Sequence, residues 1–447
     1  MVLIGCYFRD ILYLCLLLTL SPVIGGFYLY RRIMHGRYKM GWSQKFGGSP
    51  VCSPEQQRIW IHAVSLGEVN AMSSLVAEIM RQRPKIDIVI STTTDTGFDR
   101  ATTLYGERHT VFIFPIDFTW CLQRSIAKIA PTLCIMMEGE VWPNFTAVAK
   151  YYQLPVIVAN GRVGGTKGWP RYQRLAPLFR AMFKRVSLVL AQDEIHGNRF
   201  CYLGVLPENM KVVGALKYDT AEIVNRVEGA EALADQLAID KDDLVFVAGS
   251  TGPGEEEMIL NTFKALQQCA GFENAICIIV PRKPERFEQV AALISAARYG
   301  VVKYSDYKAT TNRLPPNNQA INPRLILGDT MGDLRKFYSL ATVVFVGRSL
   351  VDMGGSDMLE VAALAKPIVV GQYTYNFEQT MHLLTKDKAI CIATGEQSLT
   401  EAVVDLFTQK EAAAEMAHRA RMIIVQNTGA TERSATEIFK LLDRDIC

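Results

Sequence analysis

The chain has 447 residues, which leaves room for two domains of roughly 200 residues each plus an extra segment. Hydrophobic residues make up 49% and charged residues 21%, which suits a folded protein and excludes a disordered one. The formal net charge of +3 is too small to argue for a nucleic-acid partner.

Ile11 to Tyr30 runs twenty residues without a charge, enough for a helix to cross a ~30 Å hydrocarbon core. Pro22, Gly25 and Gly26 weaken that helix without excluding it. A signal peptide is the rival reading, but the run is long and no small-residue cleavage site follows. Arg31, Arg32, Arg37, Lys39 and Lys45 crowd its C-terminal flank, while Arg9 before it is offset by Asp10. The positive-inside rule then places the body on the cytoplasmic side, with the basic flank against anionic lipid.

After this segment strands and helices alternate, as in a parallel sheet wound on both faces. The expected strands of the first half are Ile59–Val64, Ile86–Ser91, Val111–Phe114, Leu133–Met137, Val156–Ala159, Leu188–Ala191 and Lys211–Val213. A second series comprises Leu244–Ala248, Ala275–Val280, Leu325–Leu327, Val343–Val346 and Pro367–Val370. Asn312 to Asn322 has loop composition, and the chain from Leu399 onward reads as helical. The expected divisions are a membrane segment over 1–40, a first alternating domain over 41–218, a second over 219–425 and a final helix over 426–447. That last helix is free to pack back on the first domain.

The first motif is His62-Ala63-Val64-Ser65-Leu66-Gly67-Glu68, with a helix expected over Val69–Gln82. Gly67 is expected to provide a tight turn. Glu68 then lies at the carboxyl end of a strand, where alternating folds bind ligands, and is the first candidate for a catalytic base. His62, inside the apolar run, reads as a core histidine. Glu138 and Glu140 follow the strand Leu133–Met137, just ahead of Pro143. They either cap that helix or, for Glu138 in particular, project beside Glu68. Arg162, in Asn160-Gly161-Arg162, is either an anion ligand or a structural surface cation.

In the second half, Gly249-Ser250-Thr251-Gly252-Pro253-Gly254 joins a strand to a helix, and its backbone N–H groups suit a phosphate. The acids Glu255, Glu256 and Glu257 that follow read as ordinary helix N-terminal charges. Pro281, Arg282, Lys283 and Arg286 give a strand end whose three cations suit an anionic ligand. Gly354 and Gly355 are expected to open a helix whose dipole holds a phosphate, with Glu360 one turn in, able to accept from ribose hydroxyls.

The chain has six histidines without ligand spacing and no Asp-x-Asp after a strand of the first half, so neither a metal site nor a cofactor is expected. The ten cysteines contain no CxxC pair and read as buried free thiols in a reducing compartment. Architecture alone suggests a GT-B glycosyltransferase with two Rossmann-like domains facing a cleft, and leaves binding proteins, epimerases and dehydrogenases open. The absence of GxGxxG after the first strand weakens the dehydrogenase, and the absence of a Walker A pattern argues against a P-loop ATPase.

With these motifs in view, the chain resembles the 3-deoxy-D-manno-octulosonic acid (Kdo) transferases of lipopolysaccharide synthesis. The resemblance rests on HAVSLGE, Thr94-Asp95-Thr96-Gly97, Pro115-Ile116-Asp117, EGEVWPN, NGRV and GALKYD, then GSTGPGEEE, PRKPERF, GDTMGDL and GGSDMLE. It implies a metal-independent, inverting GT-B transferase moving Kdo from CMP-Kdo to a lipid A precursor at the inner membrane. The family's base falls on Glu68 and its transition-state stabilisers on Glu138 and Lys217. CMP contacts fall on Pro281, Arg282, Gly332, Asp333, Leu334, Asp357, Met358, Leu359 and Glu360. Glu140, Arg162, Ser250, Lys283, Gly354 and Gly355 are further candidates for substrate contact. The alternatives are a membrane-associated transferase using a UDP-sugar and a non-catalytic nucleotide-sugar binder.

The chain departs from the family pattern in several places. Lys283 stands for the histidine of PRHPERF, and GGSDMLE for GGHNPLE. Gly252 stands where histidine is common, Arg348 where FVGGS has glycine, and Gly164 where NGRVS has serine. Asp357 would repel a phosphate through its side chain, an effect that Arg348 is able to offset. The same motifs would serve one, two or more Kdo transfers.

Overall fold

In a computed structural model, residues 13, 15, 17–22, 25–26, 30, 34, 40–164, 168–308, 313–314 and 324–443 are described. Among them no helix is long and apolar enough to cross a membrane. The expected anchor over Ile11–Tyr30 falls partly outside the described residues, and its basic flank and the loop over Asn312–Asn322 largely so. The chain forms two compact units, Met1–Thr220 with Asn427–Cys447, and Ala221–Gln426.

The first unit is built on a sheet of seven parallel strands. These are β1 (Arg58–His62), β2 (Asp87–Thr92), β3 (Thr110–Ile113), β4 (Leu133–Met137), β5 (Val156–Gly161), β6 (Leu188–Ala191) and β7 (Met210–Val212). Their spatial order is β3-β2-β1-β4-β5-β6-β7, so the winding direction reverses between β1 and β4. Ligands of such sheets bind beyond the carboxyl ends of the strands at that reversal. Both faces of β1 are covered, which is why its sequence is a nearly unbroken apolar run. Ile59 and Ile61 enter one core cluster with Val69, Ile79 and Ile90, while Trp60 enters another with Phe112 and Phe145.

The last helix, Ala430–Leu442, belongs to this unit and adds Ala435, Ile438 and Phe439 to the first of those clusters. Asp219 fastens its start: the two carboxylate oxygens accept the N–H groups of Gly429 at 2.6 Å and Thr431 at 2.5 Å. An acid at a helix N-terminus satisfies donors that the helix itself cannot and meets the positive end of its dipole.

The second unit repeats the architecture with β8 (Val245–Thr251), β9 (Ile276–Pro281), β10 (Val301–Lys303), β11 (Leu325–Leu327), β12 (Val343–Val346), β13 (Ile368–Gly371) and β14 (Cys391–Ala393). The order β10-β11-β9-β8-β12-β13-β14 puts its reversal between β8 and β12. The edge strands β10 and β14 are not expected from the sequence. Each has three residues and is only partly buried; β10 leaves no apolar run long enough to read, while β14 lies in the short apolar run Ala389–Ala393, which is not among the expected strands. The thiols also depart from expectation. Cys121, Cys134 and Cys277 are buried, but Cys52, Cys201, Cys269 and Cys391 are half-exposed and Cys15 is exposed.

All five tryptophans lie between residues 42 and 169, so their fluorescence reports on the first unit. Asp219→Ala removes two charge-assisted hydrogen bonds and is expected to cost that unit about 2 kcal/mol. Denaturant unfolding followed by tryptophan emission checks this, and an unchanged midpoint would contradict it.

Candidate active site

Glu68 lies beyond β1, on the helix Leu66–Ala71, and a second helix, Ser73–Gln82, follows after Met72. This corrects the single helix expected from Val69. It also corrects the role expected of Gly67, which is helical and has no close contact that a side chain would violate. The turn is made at Ser65 instead, with extended backbone, and Glu68 closes it. Its Oε2 accepts the Val64 N–H at 2.9 Å, and its Oε1 accepts the Ser65 hydroxyl at 3.0 Å. The Thr94 motif braces the same turn: the N–H of Thr94 and its hydroxyl both donate to the Val64 carbonyl, at 3.2 and 3.1 Å.

Glu68 is 7% exposed. Burial pushes its carboxyl up to about 7; the Val64 and Ser65 hydrogen bonds oppose the shift, and repulsion from Glu138 and Glu140 adds to it. A carboxylate poised there can hold or release a proton near neutrality, as a general base requires. His62, the last residue of β1, is fully buried, and burial holds its imidazole at about 3. Its Nδ1 meets the Ser91 hydroxyl at 2.9 Å, but Nε2 has no hydrogen-bond partner, so it is a core histidine only half satisfied.

Glu138 follows β4, the neighbour of β1 at the sheet reversal. Its backbone is left-handed, with φ 59°, which is costly for a residue with a side chain. The conformation is held from both sides: its N–H donates to the Ala159 carbonyl at 2.9 Å and its carbonyl accepts the Arg162 N–H at 2.8 Å. The exposed Arg162 guanidinium stands 3.9 Å from the Glu138 carboxylate. Glu140 is exposed, yet reduced hydration by surrounding protein and repulsion from Glu138 push its carboxyl up.

The capping explanation for these two acids fails. The helix Pro143–Tyr151 has no acid in its first turn, and Asp117 caps it from another loop. Asp117 accepts the N–H groups of Asn144 at 3.1 Å and Phe145 at 2.8 Å.

Lys217 sits half-buried on the short turn Leu216–Tyr218, its ammonium 5.2 Å from the Tyr218 ring centroid. Asn160, buried and left-handed at the end of β5, accepts the Leu216 N–H through Oδ1 at 3.2 Å. The Asn-Gly-Arg motif therefore fixes the turn that carries Lys217, a link of 56 residues that sequence spacing does not reveal.

In the second unit two of the three acids after β8, Glu255 and Glu256, are not plain helix charges, while Glu257 is exposed in the first helical turn as expected. Glu255 is fully buried and accepts four backbone N–H groups: Gly252 at 2.8 Å, Arg348 at 2.6 Å, Ser349 at 2.8 Å and Leu350 at 3.0 Å. Burial pushes its carboxyl up against these bonds. Glu256 takes the Thr251 hydroxyl at 2.8 Å and the Arg286 guanidinium in a fork at 2.6 and 3.0 Å. One of the three cations beyond β9 is thus spent on structure. Arg282 and Lys283 remain exposed.

Asp333 is also committed within its unit, to Lys308 at 2.5 Å, Thr330 at 2.6 Å and Lys336 at 3.0 Å. Burial opposes its ionisation, but those bonds prevail and hold the carboxyl below the usual range. The turn Gly332-Asp333-Leu334 can therefore offer a ligand its backbone, not this carboxylate.

The Gly354-Gly355 expectation needs correction as well. Both glycines are left-handed, with φ 82° and 83°, but the helix starts only at Leu359 and has five residues. It is too short for a strong dipole, and Glu360 lies at its second position. Gly354 is required for another reason: a Cβ there would lie 2.1 Å from the Asn376 amide nitrogen. Asp357 is exposed and accepts the Leu359 N–H at 2.9 Å. Burial and Asp357 push the Glu360 carboxyl up, while Arg335 and Arg282 oppose. Met358 and Leu359 are buried, as is Ser250, which is left-handed with φ 57° at the end of β8. Pro281 ends β9.

Residues 40–220 match the family model of 3-deoxy-D-manno-octulosonic-acid transferases. The 3-deoxy-D-manno-octulosonic acid transferase of Haemophilus influenzae is 31% identical over 440 residues, covering 97% of this chain and 99% of the relative. The Bordetella pertussis enzyme of the same name is 27% identical, covering 93% and 95%. Among solved structures, a putative UDP-N-acetylglucosamine 2-epimerase from Listeria monocytogenes has a TM-score of 0.53 at 14% identity, over 87% of this chain and 97% of the other. That likeness concerns the fold alone: two parallel-sheet α/β units of the GT-B type. With similarity of this degree running almost from end to end, the chain belongs to the 3-deoxy-D-manno-octulosonic acid transferase family.

Proposed function

We propose that the protein is an inverting, metal-independent glycosyltransferase that moves Kdo from CMP-Kdo to a lipid A precursor. The observation that carries this reading is the buried Glu68 carboxyl, poised at about 7 beside Glu138 at the reversal of the first sheet. The donor is already activated, so the enzyme must accept one proton and help a phosphate leave. Glu68 accepts the proton of the acceptor hydroxyl as its oxygen attacks the anomeric carbon. The bond from that carbon to the phosphate oxygen breaks, and CMP leaves with the electron pair on the opposite face. A single displacement inverts the centre.

Glu138 then stabilises the positive charge that develops on the sugar ring, helped by a backbone that holds it in one place. Lys217 meets the donor's carboxylate or phosphate, and Glu140 and Arg162 border the sugar. In the second unit, Arg282 and Lys283 supply exposed cations for the phosphate, with Pro281, Ser250, Gly354, Gly355, Met358 and Leu359 shaping the nucleotide's seat. Glu360 suits the ribose hydroxyls as an acceptor. The charge-free run Ile11–Tyr30 and its basic flank support an inner-membrane anchor with the body on the cytoplasmic side, which brings a lipid acceptor within reach.

Glu68→Ala is expected to lower Kdo transfer by about 100- to 10,000-fold while leaving CMP affinity near that of the parent. Mass spectrometry of product formed from CMP-Kdo and a lipid A precursor measures the first, and calorimetry the second. Full turnover by the variant would remove Glu68 from the role, and stronger competition by UDP than by CMP would remove the donor assignment. Arg282→Ala should instead weaken CMP binding, about tenfold for a lost charge-assisted contact.

The pH dependence follows from the Glu68 carboxyl. Transfer needs the ionised form, so the single-turnover rate should fall as pH drops through about 7. Stability should move the other way. The folded protein binds this proton more tightly than the unfolded chain does, so the group's stabilising contribution is present below its unfolded value of about 4.5 and lost as pH rises to about 7. Glu68→Gln should therefore gain stability relative to the parent at pH 8 compared with pH 4. A pH-independent difference in thermal midpoint would contradict that.

A further inference from the structure

We propose that Arg348 and Ser356, two of the positions where this chain departs from its family's pattern, bind the phosphate of the donor nucleotide. The inference rests on the donor site proposed above and adds two residues to it. Strands β8 and β12 are the neighbours at the reversal of the second sheet, paired up to Gly249 and Val346. The loops that continue them, through Gly252 and Arg348, therefore leave the sheet side by side at the point where such folds bind ligands.

The two departures at 252 and 348 answer one another. A Cβ on Gly252 would lie 3.2 Å from Cγ of Arg348 and 2.8 Å from the Met353 sulfur. The room that a side chain at 252 would need is occupied by the arginine stem and Met353. The position common to histidine has lost its cation, and the position common to glycine has gained one. Arg348 keeps the left-handed backbone suited to glycine, with φ 60°. Glu255 locks it there through the Arg348 N–H, at 2.6 Å. A long cationic side chain held in a conformation that disfavours it points to a use for the side chain. One guanidinium N–H is spent on the Met353 carbonyl, at 3.3 Å. A guanidinium has five N–H donors, enough for a forked contact with phosphate besides.

Ser356 is the second, independent sign. It is 8% exposed, and its hydroxyl oxygen is buried without a hydrogen-bond partner. A buried hydroxyl left unsatisfied is costly, and a ligand oxygen would satisfy it. Its loop is tied directly to Arg348, whose carbonyl accepts the Gly355 N–H at 2.8 Å. The same loop carries the exposed Asp357, an anion that disfavours phosphate, so a cation from the adjoining strand end supplies the sign of charge that the loop lacks.

The test uses the full-length protein and two probes, CMP and cytidine, which differ by the phosphate. Arg348→Gly keeps the backbone unstrained, and Arg348→Met keeps the stem over Gly252 while removing the charge. Both should raise the CMP dissociation constant about tenfold and leave that of cytidine unchanged. Ser356→Ala should raise the CMP constant about threefold, with a thermal midpoint of the ligand-free protein no lower than the parent's. Unchanged CMP affinity in the Arg348 variants, or a parallel loss for cytidine, would overturn the proposal. Arg282→Ala serves as the reference. If it weakens CMP while the Arg348 variants do not, this inference alone fails; if none of them does, the donor site itself is misplaced.

Discussion

The candidate site of the first unit turns on one conflict, the burial of an acid that its own chain wants ionised. The Val64 N–H and the Ser65 hydroxyl both favour the Glu68 carboxylate anion. Burial and the two glutamates beyond β4 disfavour it, and they prevail, lifting the carboxyl from 4.5 to about 7. The difference corresponds to roughly 3 kcal/mol of resistance to ionisation. Removing the hydrogen bonds would let the group drift further toward the acid form, and exposing it would return an ordinary weak base. The loop geometry and the sheet order that brings β4 beside β1 both serve this balance.

A second regularity concerns the division of labour among the polar residues. Several polar groups in and near the motifs are committed to hydrogen bonds within their own unit. Glu255 gathers four backbone N–H groups, Glu256 holds Arg286, Asp117 caps a helix from a distant loop and Asn160 ties β5 to the Lys217 turn. Each is buried, and each joins segments distant in sequence. Removing any one of these groups would leave buried donors without their hydrogen-bond partner. Arg162, Arg282, Lys283 and Asp357, by contrast, are exposed.

That division explains how much the sequence discloses. The central strands are legible because parallel strands covered on both faces leave apolar runs, and Ile59 to His62 or Leu133 to Met137 can hardly be anything else. Glu138 stands out as a candidate because it follows such a run immediately, and Glu68 because it lies six residues beyond His62. β10 is not, since an edge strand of three residues buries too little to impose a pattern, and the run Ala389–Ala393 that holds β14 is too short to tell a strand from a helix end. Gly67 misleads because a glycine between strand and helix has the local signature of a turn, although Ser65 makes the turn. The work of Glu255 is illegible for a different reason: its partners at 348 to 350 lie more than ninety residues away, and nothing local marks them.

The carboxylate of Asp219 joins two regions of the chain that lie 210 residues apart in sequence. Because the helix after Asn427 completes the first unit, the second unit is an insertion within the first, entered after Thr220 and left before Asn427. During synthesis the first sheet would emerge early, yet the apolar seat beside Ile79 waits for Ile438 and Phe439 until the inserted unit has been made. A chain built this way has a reason to fold its middle quickly, because until then one face of its opening domain stays uncovered.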